Sequence, residues 1–412
     1  MDAVLLSASR KDRGLALSRD KRLKAIAGTK WYVPSQSNAS GGYIVDLQER
    51  TCTCPDHEET SGKCKHAWAV EFVLSATVTT TAPDGSVSQT TVRVTYGQSW
   101  SQYNAAQTTE REHVGTLLRA LCEGVTQPRQ TRGRPRLPLS DLIHAATMKV
   151  YTGMSARRAA SDIRDCASKG LIDKAPHFNS IHNVIERPDV TPLLKGLIEE
   201  SAAPLKSVEA SFAIDSTGFS TCVYHRWFDK KYGREKKEQT FVKAHAMVGV
   251  ATKVITAVEV TDETGADSPQ LPALVQATAK RFDMDEVSAD KAYLSRRNVD
   301  VIEGVGAVPF IPFKINSTGT GSEGLRRMHG LFMFRRDEFL RHYHKRSNVE
   351  SAFSAIKRKF GGSVKARLHE AQVNEVLLKC LCHNLSCVVH AMYELGIEPT
   401  FWVESSQPGG LQ

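Results

Sequence analysis

The sequence predicts an α/β fold for its second half, preceded by a helical region and a small cysteine-bearing module at the N-terminus. Three patterns predict it. From Ser207 onward strand-like runs come first and helices follow, the last of them long. Between Leu139 and Ser201 the pattern is wholly helical. Near the N-terminus, Cys52, Cys54, Cys64 and His66 crowd into a short span between a strand-like run and a short apolar helix.

Length and charge bound the possibilities. The 412 residues, 41% of them hydrophobic, suffice for two or three domains and at least one large core. A formal net charge of +9 favours a polyanionic partner, with nucleic acid the first candidate because phosphate neutralisation dominates such binding. The stretch Met1 to Leu23 mixes charges throughout, unlike a secretory signal. No uncharged apolar run reaches the roughly 18–20 residues of a membrane helix. The expectation is a soluble protein with no membrane partner, cytoplasmic, and nucleoid-associated if the cell is prokaryotic. In such a compartment nine cysteines do not make a disulfide framework, so clustered ones read as metal ligands.

The elements follow in order. Tyr43 to Leu47 reads as a strand and His66 to Leu74 as a helix. Ser75 to Ser101 is rich in Thr, Ser and Val around the turn signal Pro83-Asp84-Gly85, and fits a β-hairpin or a loose tether equally. A helical pattern at Glu110 to Cys122 leads into Gln127 to Arg136, a basic, Pro- and Gly-punctuated extended linker. About three helical segments fill Leu139 to Ser201, with Ser155 as N-cap of the one bearing Arg157, Arg158 and Arg164, and Gly170 as its stop. Val208, Ala210, Phe212 and Ile214 alternate with Glu209, Ser211, Ala213 and Asp215, the period of a strand. Phe241 to Val250 and Val254 to Val260 are two more strands. Asp267 or Ser268 caps a helix running to about Phe282, with Pro269 in its first turn. Glu286 to Ala289 is a strand, Ser295 caps another helix, and Ala307 to Phe313 is a fifth strand. Long helices cover Tyr343 to Phe360 and about Asn374 to Leu395. Three strands, then helix, strand, helix, strand and helix, is the order of the ribonuclease H-like fold, an order that unrelated functions share. These shifts divide the chain into a cysteine-bearing module (1–75), a linker with a helix and a basic tether (76–136), a helical region (137–202), an α/β domain (203–396) and a tail (397–412).

Three carboxylates carry the chemistry. Asp215 is expected to end the first strand, Asp290 ends the fourth, and Glu350 sits on the late helix. Sites of open α/β sheets form outside the carboxyl ends of strands. Phosphodiester chemistry uses two hard cations about 3.5–4 Å apart, and three clustered carboxylates can hold such a pair of Mg2+ or Mn2+ ions. At about 100° per residue, Tyr343, Arg346, Glu350 and Lys357 fall on one stripe beside the apolar stripe of Val349, Phe353, Ile356 and Phe360. Phenol, guanidinium, carboxylate and ammonium in a row suit a site that holds a metal and grips flanking phosphates. Each acid alone fits a structural role as a cap or an ion-pair partner; the joint pattern favours catalysis.

Tyr343-x2-Arg346-x3-Glu350-x6-Lys357 resembles the Y-R-E-K motif of insertion-sequence DDE transposases in every interval. Ile214-Asp215-Ser216-Thr217 and Asp290-Lys291-Ala292-Tyr293 resemble that family's two aspartate motifs, in the family's order, over about Leu205 to Leu395. The resemblance implies a ribonuclease H-like catalytic domain that cuts and rejoins double-stranded DNA at the ends of a mobile element. It implies Asp215, Asp290 and Glu350 as metal ligands and Tyr343, Arg346 and Lys357 as DNA contacts near the cleaved phosphate. The short span from Asp290 to Glu350 leaves little room for the β-rich insertion with which some relatives shelter a hairpin intermediate.

Three thiolates and one imidazole match the tetrahedral donor set of structural zinc. C-x-C-x(n)-C-x-H, over about Ile44 to Val73, resembles the SWIM zinc finger, which implies one Zn2+ on Cys52, Cys54, Cys64 and His66; His57 competes for the fourth place. Cys380, His383 and Cys387 lie at helical spacing with Leu377 and read as buried packing residues. Cys122, Cys166 and Cys222 stand alone.

Arg132-Gly133-Arg134-Pro135 fits a narrow A·T minor groove and fits a solvated basic linker equally well. The helices of 137–202 form a candidate helix-turn-helix unit, and Lys357, Arg358, Lys359, Lys365 and Arg367 suit phosphate binding. Synapsis of two element ends implies a homodimer, and the zinc finger takes either DNA or protein. The leading expectation is thus a transposase that cleaves element ends and transfers the 3′-hydroxyl strands. The alternatives are a non-catalytic DNA-binding regulator derived from one, and a ribonuclease H-like nuclease without strand transfer.

Overall fold

The computed structural model describes residues 10–18, 20, 22–27, 30–35, 41–46, 49, 51–60, 63–81, 87–91, 100–133, 135–221, 241–314 and 319–402. Packing divides the chain into two compact units, residues 1–98 and 99–412.

In the first unit, α1 (Arg10–Leu17) precedes four strands, β1 (Lys24–Ala27), β2 (Lys30–Pro34), β3 (Gly42–Asp46) and β4 (Thr51–Cys52). They form an antiparallel sheet in the order β1-β2-β3-β4. Two helices follow, α2 (Pro55–Thr60) and α3 (Lys65–Ala76). Leu17, Val33, Val45, Ala69 and Val70 make a small core together with the cysteines. The approach of α1 to α3 depends on Gly14, where a Cβ would fall 2.5 Å from Cβ of Trp68. Strands β5 (Thr77–Thr81) and β6 (Val87–Thr91) then pair antiparallel, the hairpin being the outcome of the two forms that Ser75 to Ser101 left open.

The second unit begins with five helices, α4 (Trp100–Cys122), α5 (Leu139–Tyr151), α6 (Ala156–Ser168), α7 (Phe178–Ile185) and α8 (Val190–Ala202). Where the sequence suggested about three segments between Leu139 and Ser201, there are four. Gly170 does stop α6, in a left-handed conformation (φ +71°) that a side chain would resist. Ser155 stands at the N-cap of α6, accepting Ala159 N–H through its carbonyl rather than capping with its hydroxyl.

Next come β7 (Ser211–Ser220), β8 (Phe241–Gly249), β9 (Ile255–Asp262), α9 (Leu271–Ala279), β10 (Glu286–Ala289), α10 (Arg296–Gly304) and β11 (Val308–Phe310). The chain closes with α11 (Glu323–Phe334), α12 (Arg336–Tyr343), α13 (Ser347–Phe360) and α14 (His369–Leu395). The mixed sheet has the order β11-β10-β7-β8-β9, with β7, β8 and β9 antiparallel and β10 and β11 parallel to β7. Buried residues of α4 to α8, the sheet and α14 belong to one hydrophobic core. By length and composition α14 is apolar enough to cross a membrane, but 83% of its most apolar window is buried inside this unit. Residues 397–402 fold back onto the core, Trp402 donating its indole N–H to the carbonyl of Leu121 at 3.0 Å.

Several boundaries depart from expectation for identifiable reasons. The first strand starts at Ser211, after Val208, Glu209 and Ala210, and runs on to Ser220. Glu209 is diverted to the β8–β9 turn, where its carboxylate accepts from the N–H groups of Ala251 and Thr252, while pairing with β8 continues through Ser220 opposite Phe241. Asp215 therefore lies mid-strand, not at the strand's end. Asp267 does not cap a helix with its side chain; it pairs with Lys243 and His245 instead, and a 3-10 turn at Ser268–Gln270 opens α9. Ser295 caps α10, accepting from the N–H of Asn298. The single helix expected from Tyr343 to Phe360 is interrupted, with α12 ending at Tyr343 and a 3-10 turn (His344–Arg346) preceding α13.

Candidate catalytic cleft and metal-binding cluster

Asp215 is fixed by the most buried part of the sheet. Ala213 and Ile214 before it are fully buried, and β10 lies parallel alongside with Ala289 opposite Ile214. Asp290, the residue after that pair, is thereby set beside Asp215. It accepts from Lys291 N–H at 2.7 Å and caps the 3-10 turn Lys291–Tyr293. Glu350 is in the first turn of α13, which packs its stripe of Val349, Ala352, Phe353, Ile356 and Phe360 into the core and leaves the carboxylate outward. Asp215, Thr217, Glu350, Ser354, Lys357 and Arg358 line an open cleft of about 460 Å³.

Arg346 ties this cleft together. From the 3-10 turn its guanidinium donates to Oδ2 of Asp215 at 2.5 Å and to Oε1 of Glu350 at 2.7 Å. The other Asp215 oxygen accepts from Ser216 N–H at 2.8 Å. Lys357 reaches across to β7, donating to Thr217 Oγ1 at 2.6 Å, with its ammonium 5.4 Å from the centre of the Phe219 ring. Tyr343 closes α12, stacked on Phe339 with ring centres 6.4 Å apart. Of the expected row, then, Glu350 and Lys357 line the cleft and Arg346 binds two of its acids, whereas Tyr343 packs against Phe339 because the helix breaks after it. Arg132 is exposed, on a turn where its carbonyl accepts from Gln130 Nε2 at 2.9 Å, and is not among the residues lining the cleft. Arg134 lies outside the described residues, as does Cys222.

The electrostatics ask for a cation. Burial lifts the Asp215 carboxyl above the ordinary range against the pull of Ser216 N–H and Arg346, and the charges of Asp290 and Glu350 add to the lift. Arg346 is held above its usual range because Asp215 and Glu350, with Tyr343, outweigh the effect of its burial. Burial pushes the Lys357 ammonium down. Two acids, Asp215 and Glu350, sharing one guanidinium, with Asp290 beside the first, fit the donor chemistry of hard divalent cations, which bind through oxygens.

Two supporting groups were not legible in the sequence. Glu286, nearly buried at the start of β10, pairs with both His342 and Lys345 and so pins the 3-10 turn that presents Arg346. Behind the two aspartates, Asp267 pairs with Lys243 at 2.7 Å and His245 at 3.2 Å, near the buried Tyr293. In the sequence Asp267 reads only as a helix cap, and Glu286 only as a charged residue opening a strand.

In the first unit Cys52 comes from β4, Cys54 from the turn after it, Cys64 from just before α3 and His66 from its first turn. All four are buried, with ligand atoms within 4.8 Å of one another. Nδ1 of His66 is 3.9 Å from Sγ of both Cys52 and Cys64, and its Nε2 is buried without a hydrogen-bond partner. Cys52 draws the Cys64 thiol below its ordinary range against burial, with help from His66. Three sulfurs and one imidazole converging in this way fit a zinc-like cation. His57, on α2, stays outside the group.

Among the described residues this is the one such cluster. Cys380, Cys382 and Cys387 on α14 have thiols pushed up by burial, and His383 is spent on the carbonyl of Lys253 at 2.9 Å. They are packing residues.

Residues 207–385 match the family described as the transposase DDE domain, and residues 43–74 match the SWIM zinc finger. Among curated proteins the chain is similar to a probable transposase for insertion sequence element ISA1214 of Archaeoglobus fulgidus. The identity is 25% over 183 residues, 44% of this chain and 55% of the relative, so the chain spans about half the length of that relative. No solved structure matches.

Proposed function

We propose that this chain is a DDE transposase that cleaves the ends of a mobile DNA element and joins them to target DNA. One observation carries the reading: Asp215 and Asp290 sit side by side at adjacent parallel strands, and Glu350 is linked to Asp215 through Arg346. The sheet order, with two strands parallel and two antiparallel in sequence around β7, supports a ribonuclease H-like domain over 203–396. The match of residues 207–385 to the transposase DDE domain supports the same assignment.

In this reading Asp215, Asp290 and Glu350 hold two Mg2+ or Mn2+ ions. Those ions, when bound, supply activation of the attacking oxygen and neutralisation of the leaving one. Arg346 and Lys357, with Tyr343 beside them, hold the phosphates that flank the scissile bond. Water attacks the phosphodiester at the element end, leaving a 3′-hydroxyl and a 5′-phosphate. That hydroxyl then attacks a target phosphodiester in line, forming one ester bond as another breaks. The helices of 137–202 and the tether bearing Arg132 and Arg134 grip the DNA further out, two copies act at synapsis, and Zn2+ holds the module of 1–75. The protein acts in the compartment that holds the DNA.

The test is cleavage of the DNA flanking the coding sequence in Mg2+ or Mn2+, wild type against Asp215→Asn. Strand-specific cuts at repeat ends followed by joined products are expected, with the variant reduced at least about 100-fold. Cuts that never yield joined products would assign a nuclease instead. Tight, salt-sensitive binding without cutting would assign a DNA-binding regulator.

A further inference from the structure

We propose that Arg346 is the resident counter-charge of the acid cleft, and that it couples divalent-metal loading of the cleft to DNA. The inference rests on the reading of Asp215, Asp290 and Glu350 as metal ligands. Both oxygens of Asp215 are engaged, Oδ2 by Arg346 and Oδ1 by Ser216 N–H, and the second arm of the same guanidinium takes Oε1 of Glu350. The fork thus bridges one carboxylate from the sheet and one from α13. An arginine cannot leave by losing its proton. Hard cations bind through those same carboxylate oxygens, so the guanidinium competes with a cation for them and has to swing away for the full ligand set to form.

The surroundings restrict that swing to the side chain. The turn His344–Arg346 is pinned because its own Lys345 and the preceding His342 both pair with Glu286. A planar fork released from a carboxylate finds its best alternative acceptor in a phosphate, which it takes bidentately. Lys357 and Arg358 line the same cleft and favour an anion arriving there. DNA phosphate therefore draws Arg346 off Asp215 and Glu350, leaving two carboxylates whose mutual repulsion favours a divalent cation. Without DNA, the cleft is kept charge-compensated and a poor metal site. Linkage makes this reciprocal: the factor by which DNA raises metal affinity equals the factor by which metal raises DNA affinity.

The experiment is Mn2+ binding to the full chain, read by the electron paramagnetic resonance of free Mn2+, with and without an arbitrary duplex of about 20 base pairs at low salt. Wild type, Arg346→Gln, Arg346→Lys and Asp215→Asn are compared, with thermal unfolding to show that each is folded. Without DNA, Arg346→Gln is expected to bind Mn2+ about tenfold more tightly than wild type, because no charged hydrogen bonds have to break first. Arg346→Lys, which keeps the charge but loses the fork, falls between them. The duplex should raise the affinity of wild type and leave that of Arg346→Gln unchanged. Equal or weaker Mn2+ binding by Arg346→Gln, or a DNA enhancement that persists in it, would overturn the coupling. With the duplex present, Mn2+ binding by Asp215→Asn indistinguishable from wild type would instead overturn the metal-ligand reading itself.

Discussion

Glu286 opens β10 with its side chain almost enclosed, and the two side chains that meet it, His342 and Lys345, come from much later in the sequence. Removing Glu286 takes the enclosed acceptor away from two partly exposed donors and leaves a gap at the start of the strand. Glu286→Ala should therefore lower stability by about 2 kcal/mol, read as a shift of the urea midpoint. Glu286→Gln separates charge from shape. Burial alone would raise the Glu286 carboxyl, but Lys345, Ser211 and His342 together hold it below its ordinary value of 4.5. A depressed folded pKa contributes stability that is complete above the unfolded value and is lost as pH falls through the folded one. Wild type should then lose stability on acidification below pH 4.5 more steeply than Glu286→Gln; parallel curves would show that the charge contributes nothing. At this scale the sequence was most informative about identity and least about pairing. Spacing alone singled out Asp215, Asp290, Arg346 and Glu350, because an acid in a strand-end motif and a polar stripe on a helix are visible in one dimension. That Arg346 would bridge two of those acids, and that Glu286 would hold its turn in place, depended on which strands became neighbours.

Among the elements, α14 shows how a polar residue completes a sheet that no strand pattern could predict. Its Asn384, fully buried, accepts from Ile255 N–H at 2.8 Å and donates to Ile255 C=O at 2.7 Å, pairing with β9 as another strand's backbone would. The same amide donates to Ser201 Oγ at 3.0 Å and Ile198 C=O at 3.2 Å on α8. One side chain thus joins a helix, an edge strand and the helical region. Asn384→Leu keeps the volume but strands these groups, and should cost about 3 kcal/mol with an unchanged denaturant slope; a loss under about 1 kcal/mol would mean that water replaces the amide. The sequence marked α14 as an apolar helix and was right about its type. It missed the first turn, because His369 and Glu370 lie on no apolar stripe. It also read Tyr343 to Phe360 as continuous, because the 3-10 turn at His344–Arg346 preserves the apolar period on both sides while changing the path. Asp215 was placed at a strand end for a related reason: alternation stops there, yet pairing with β8 sustains the strand for five more residues up to Ser220.

At the level of the whole molecule, the two units are stabilised by different means. Residues 99–412 share one extensive core running through five helices, a five-stranded sheet and α14. The core of the first unit is a handful of aliphatic residues around Cys52, Cys54, Cys64 and His66, and three of its eight buried apolar residues are the cysteines themselves. A core that small rarely stabilises a fold unaided, and a structural metal supplies binding free energy that becomes folding free energy. The consequence is two separable thermal transitions, of which only the first responds to chelation. Removing zinc with a strong chelator, or by Cys52→Ser with Cys64→Ser, should abolish the transition of the first unit and leave that of the second within about 1 °C, because no ligand of the cluster belongs to residues 99–412. Differential scanning calorimetry on the full chain reads both transitions at once, and native mass spectrometry should show one zinc lost in the same variant. If the first transition persisted unchanged in the metal-free protein, the cysteines would be packing residues like those of α14, and the small aliphatic core would have to hold that unit together alone.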